Sequence, residues 1–172
     1  RCAGLDIILR NDAAHAADNV IAALKDKDIK YRNTALLAAP SIIGDGVFDA
    51  VASKFKSLSP AAKIDVINWL GNNHVVSQTD LVVENISSQD MPLAIAAVNA
   101  ASKIGGDKSL AALTSALGDD NELSAAAQAA LLSFNGNINS GILEALDSSD
   151  SNVVAKALRL ASARHIYDAY PK

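Results

Sequence analysis

The chain has 172 residues, half of them apolar, with 20% charged and only 4% aromatic. Nineteen acids against fifteen bases leave a net charge of −4, which supplies no overall attraction for nucleic acid or an anionic membrane. Cys2 is the only cysteine, which excludes an intrachain disulfide, and no apolar run reaches the roughly 18 residues of a membrane-spanning helix. The chain starts at Arg1 with neither a Met nor a signal-peptide pattern, which reads as a processed or truncated product.

An apolar anchor recurs at Leu24, Phe55, Ile86, Leu117 and Leu146, at spacings of 31, 31, 31 and 29 residues. A fixed period of this length marks a repeat array, in which each unit buries its apolar face against its neighbours. Residues 1–10 carry Leu5 and Ile8 one period before Leu36 and Ala39, so they read as the second helix of a unit whose first helix is missing. Helix pairs are then expected near 16–25/29–43, 47–56/60–71, 78–87/91–104, 110–117/122–135 and 139–147/151–165. The first helix of each pair is set by apolar residues four and three before the anchor and at it (Val20, Ile21, Leu24 in the first). The second is set twelve and fifteen residues after it, by Leu36/Ala39, Ile67/Leu70, Val98/Ala101, Ala129/Leu132 and Leu158/Ala161. Ile166 to Tyr170 reads as the start of a sixth unit that stops short, which makes the chain a window on a longer protein.

Four residues after each anchor stand Asp28, Ser59, Asp90, Asn121 and Asp150, all favoured N-cap residues. Asp18, Asp49 and Asp80 stand near the start of first helices, where a carboxylate meets the positive end of the helix dipole. These acids are accounted for by helix-start chemistry, without catalysis. Gly71, Gly105, Gly106 and Gly136 are expected to close second helices as left-handed caps; Gly44 and Gly46 do the same for the first complete unit, where Pro40 is expected to end or kink the helix early. The two-residue shortening before the fifth unit falls in the loop near 137–140.

The stretch Leu24-Lys25-Asp26-Lys27-Asp28-Ile29-Lys30-Tyr31-Arg32-Asn33-Thr34-Ala35 resembles a HEAT repeat, especially the short bacterial type named after phycobilisome lyases, and Ser102-Lys103-Ile104-Gly105 fits the same pattern. Later units depart from it, with Ala94, Ala125 and Val154 where the turn arginine stands. The resemblance implies an all-α, right-handed α-solenoid of about five two-helix repeats, near 16–46, 47–77, 78–108, 109–137 and 138–166, and a protein-binding role.

Chemistry finds little support in the residues. His74 and His165 share one column but lie three units apart, roughly 30 Å at helix spacings of about 10 Å, too far to share a metal. No HExxH motif, cysteine cluster or phosphate loop occurs, so neither metal nor cofactor is expected. Asn85-Ile86-Ser87 matches a glycosylation sequon by letter but falls inside a helix with Ile86 buried. Trp69 stands in a column of Ala38, Ala100, Leu131 and Leu160, which favours packing over stacking on a ligand.

The second helices of such arrays line the concave side. Their outward ridge is expected ten, thirteen and seventeen residues after the anchor, and it nominates Asp65, Asn68, Asn99, Lys103, Phe134, Lys156 and Arg159 as partner-binding residues. Phe134 reads either as an exposed aromatic anchor or as packing on the end of its own helix. The function implied is a non-enzymatic scaffold for a protein or peptide; the alternative is an accessory repeat region beside a catalytic domain elsewhere in a longer chain. Nucleic-acid binding is disfavoured by the net charge, and no membrane insertion is expected. The low charged fraction and the abundance of Asn, Asp, Ser and Ala point to a bacterial extracytoplasmic protein.

Overall fold

The structure, a computed structural model, describes residues 1–12 and 15–169. The fold is all-α, and no strand occurs among the described residues. In chain order the helices are α1 (Cys2–Asn11), α2 (Ala16–Ala23), α3 (Ile29–Ile43), α4 (Gly46–Lys54), α5 (Pro60–Asn72), α6 (Thr79–Glu84), α7 (Met91–Ile104), α8 (Gly106–Ser115), α9 (Glu122–Leu132), α10 (Asn139–Leu146) and α11 (Ser151–Ala163). Each expected helix is present, with most ends displaced by no more than about one turn. Tyr170, named for the start of a further unit, lies outside the described residues.

The capping chemistry explains why the second helices begin where they do. Asp28 accepts from the Lys30 amide at 2.9 Å, Ser59 from Ala62 at 3.3 Å and Asp90 from Leu93 at 3.4 Å. Asn121 accepts from Ser124 at 2.9 Å and Asp150 from Asn152 at 2.8 Å. Each bond satisfies an amide that the first helical turn leaves without an intrahelical acceptor. Asp18, Asp49 and Asp80 stand in the first turns of α2, α4 and α6.

Burial follows the period most faithfully four residues before the anchor, where Val20, Val51, Val82, Leu113 and Ile142 are all fully buried. At the anchor itself Leu24, Phe55, Ile86 and Leu117 are buried and Leu146 half-buried. Phe55 and Ile86 sit in 3-10 turns (Phe55–Ser57 and Asn85–Ser87) that tighten the ends of α4 and α6.

The chain divides into two compact units, Arg1–Leu70 and Gly71–Lys172. In the first, α1 packs on α2 and α3, α2 on α3 and α4, and α3 on α4. Its core includes Leu9, Leu24, Leu36, Ile67 and Leu70, with Trp69 against Phe48 at 4.7 Å between ring centroids. In the second, α6 pairs with α7, α8 with α9 and α10 with α11; α7, α9 and α11 form one row and α6, α8 and α10 another.

Several expectations are corrected. Pro40 lies inside α3, which continues to Ile43; the ring removes one backbone donor without ending the helix. Gly71 is not a cap but a helical residue of α5, where a Cβ would lie 2.6 Å from the Ala100 Cα, so its role is close helix approach. Gly46 and Gly106 open helices rather than close them. In α1 the buried pair is Leu5 and Leu9, leaving Ile8 exposed beside Ile7. In α9 and α11, Ala129, Leu132 and Leu158 are exposed although their columns are buried in the earlier units. Ala occupies opposite sides of α9, so the sequence there carries too little contrast to fix the helix's rotation.

Candidate partner surface

The column ten residues after the anchor faces inward. It stands one turn before the buried column of Ala38, Trp69, Ala100, Leu131 and Leu160, and residues four apart share a helix face. Asp65 accepts from the Arg32 Nε at 2.6 Å, and both side chains are buried. The same guanidinium donates through Nη1 to the carbonyls of Asp26 and Lys27, which ties the α2–α3 turn to α5. Lys156 does related work in the second unit: its buried ammonium donates to the carbonyls of Leu117 and Asp119 at 3.0 and 2.8 Å and to the Ser124 hydroxyl at 2.9 Å. These two charges complete turns and are not offered to a partner.

Phe134 is also withdrawn, at 5% exposure. Helix α9 ends at Leu132, so Phe134 no longer follows the helical rotation that would turn it outward. Its ring edge faces Gly136, where an added Cβ would lie 3.6 Å from Cε1. Packing at the end of its own helix is the arrangement found.

Four of the nominated residues keep solvent access. Asn68 is half-buried in the first unit, and Asn99, Lys103 and Arg159 are exposed in the second. Lys103 donates to Asn72 Oδ1 at 2.7 Å and has no carboxylate partner among the described residues; Arg159 has none either. Beside them the exposed apolar residues are Leu132 and Leu158, which the sequence reading had placed in the core.

The ends of the second helices carry a further pattern. Nineteen residues after the anchors stand His74, Gly105, Gly136 and His165, all at positive φ. The two histidines thus occupy the position that glycine holds in the neighbouring units; their shared column reflects backbone conformation rather than a ligand set. The Lys103 carbonyl accepts from His74 Nδ1–H at 2.7 Å and from Asn135 Nδ2 at 3.0 Å. The Asn135 amide donates to Ser102 at 2.8 Å, and Arg164 donates to the carbonyls of Leu132 and Gly136. Side chains from neighbouring hairpins therefore satisfy free carbonyls at these helix ends, Asn135 and Arg164 reaching to the hairpin before and His74 to the one after.

Two open grooves lie in the second unit, one of about 360 Å³ bordered by Ile86, Ser87, Ala116 and Asp119, the other of about 310 Å³ by Val76, Asp80, Gly105 and Lys108. The second is spanned by the Lys108–Asp80 ion pair at 2.7 Å. Among the described residues no three His, Cys, Asp or Glu side chains converge as metal ligands, and no helix is long and apolar enough to cross a membrane. No family model and no curated protein matches the chain, so the role of this surface rests on its own residues.

Proposed function

We propose that the chain is a non-enzymatic protein-binding module, its hairpins forming one right-handed array of HEAT-like repeats whose second helices present the binding side. The repeated packing within each unit supports the array: in the second, second helices pack on second helices and first on first. One observation carries the binding side. On α7 and α11 the outward positions hold Asn99, Lys103, Leu158 and Arg159, side chains with donors or apolar area left open to solvent, of which only Lys103 spends one donor on a neighbouring helix, at Asn72. The outward face of a helix that serves only the fold has no need of unpaired cations beside exposed leucines.

Peptides selected from a displayed library against the whole protein test the reading, with their footprint mapped by backbone amide chemical shifts. Shifts concentrated on α7, α9 and α11 are expected. Selected peptides that map to the first helices, or a library that yields no binder, count against it.

A further inference from the structure

In the unit Gly71–Lys172 charge is segregated by helix type. From Asp80 to Asp150 every carboxylate sits on a first helix, in a turn, at an N-cap or at the first residue of a second helix. Beyond those starts, α7, α9 and α11 carry no acid at all. Their exposed cations are Lys103 and Arg159, joined by Arg164 just past α11, and none of the three is paired with a carboxylate among the described residues. The other two cations of the unit between Gly71 and Arg164 do have an acid nearby, Lys108 against Asp80 and Lys156 near Asp120. Cations are thus left uncompensated on one side of a unit rich in acid, next to Leu132 and Leu158, which are 45% and 46% exposed.

We infer that this face takes an extended acidic peptide, its carboxylates on Lys103 and Arg159 and its apolar side chains on Leu132 and Leu158; this rests on the protein-binding reading above. Two steps between packed helices span about 20 Å at helix spacings of 8–10 Å, a distance covered by about six residues of extended chain at roughly 3.3 Å each. Alternate residues of such a chain point the same way, so a peptide alternating acid with leucine presents both kinds of side chain at a two-residue repeat. The donors of Asn99 remain available for the peptide's own carbonyls. A nucleic acid fits less well. The cations are few for a phosphate chain, and the exposed rings His165 and Tyr167 stand past the end of α11 rather than between Lys103 and Arg159 in the chain.

The test uses the whole protein and fluorescent short peptides alternating glutamate with leucine, glutamine with leucine and lysine with leucine, together with a single-stranded oligothymidylate. The glutamate peptide is expected to bind most tightly. The preference should fade as salt shortens the screening length from about 10 Å at 0.1 M to about 3 Å at 1 M. The K103E/R159E double variant should weaken it by about tenfold or more, and K103Q/R159Q by less, with unchanged circular dichroism melting for both. Equal binding of the glutamine peptide, with shifts on the same helices, overturns the acidic preference while leaving the protein-binding reading intact. Preference for the lysine peptide or the oligonucleotide, or no binding by any of the three peptides, overturns the inference. The library footprint on the whole protein decides separately whether the second-helix face binds proteins at all.

Discussion

Ser109 is fully buried, and its hydroxyl finds no hydrogen-bond partner among the described residues. Ala16, Val47 and Ile138 hold the equivalent place in three other units, all of them buried, and half-buried Gln78 holds it in the fourth, so apolar side chains fill this environment wherever it is closed. An unsatisfied buried polar group costs about 1–3 kcal/mol. Ser109→Ala is therefore expected to raise stability by about 1 kcal/mol, measured as a shift of the urea midpoint at unchanged slope. A loss of stability would mean that the hydroxyl has a partner. Phe134 gives the opposite expectation. At 5% exposure its truncation to alanine should cost about 3 kcal/mol or more, as for other buried aromatics, and a near-neutral result would return it to the surface. The two residues show where reading stops. The columns place Ser109 in an apolar position, but whether a hydroxyl there is satisfied depends on neighbours that no period reveals. Phe134 belongs to an outward column by count, yet it falls after the helix has ended, where the 3.6-residue rotation no longer applies.

The helices themselves were readable because their starts are chemically marked. Five cap residues recur four positions after the anchor, and each accepts a hydrogen bond from the first turn of its helix. The ends were harder. Glycine by itself does not mark closure: Gly71 lies within α5 and the left-handed residue beyond it is His74, at φ 51°. His165, at φ 55°, does the same after α11. A histidine in this region is strained by roughly 1–2 kcal/mol, and glycine is not. His165→Gly should thus stabilise modestly. His74→Gly should gain less, because the ring also donates to the Lys103 carbonyl. Gly105→Ala is expected to be the most damaging of the three, since its Cβ would meet the Asn135 carbonyl on top of the unfavourable φ of 77°. Thermal melts of the three variants give the order; a Gly105→Ala protein as stable as the parent would contradict the tight joint drawn there. Rotation of the alanine-rich α9 was the other blind spot, for Ala packs inward or faces water at little penalty either way.

In the unit Gly71–Lys172, α9 has a second helix packed on each side, α7 and α11, while α11 packs on α10, on α9 and on the turn after it. Local opening should begin in the helices that bury the fewest side chains. Amide hydrogen exchange is expected to be slowest in α7, whose buried set extends along most of its length, and faster in α9 and α11, whose buried sets are smaller. Equal protection of all three helices would instead indicate a unit that opens only as a whole. The acids of this unit sit on its turns, first helices and helix starts, so its negative potential is expected there rather than on the second-helix face.

The shortened spacing between the anchors Leu117 and Leu146 has a consequence for where such a chain tolerates changes of length. The turn between α8 and α9 is measured out by bonds at both ends: Lys156 holds the Leu117 and Asp119 carbonyls, and Asn121 caps the next helix. The spacing is two residues shorter than between the earlier anchors, yet Ile142 and Leu160 are as deeply buried as their equivalents earlier in the chain. The distance from anchor to cap residue stays the same on both sides, so the difference is taken up between hairpins and not in the turns within them. An inserted glycine-serine pair after Gly136 should leave the melting temperature nearly unchanged, because lengthening a surface loop costs only about 0.6 kcal/mol per doubling. The same pair after Asp119 should lower it clearly, by separating the Lys156 acceptors from the cap. Within the unit Gly71–Lys172, extra loops are therefore expected to be accepted at the link after Gly136, while the turn that Lys156 and Asn121 hold keeps its dimensions.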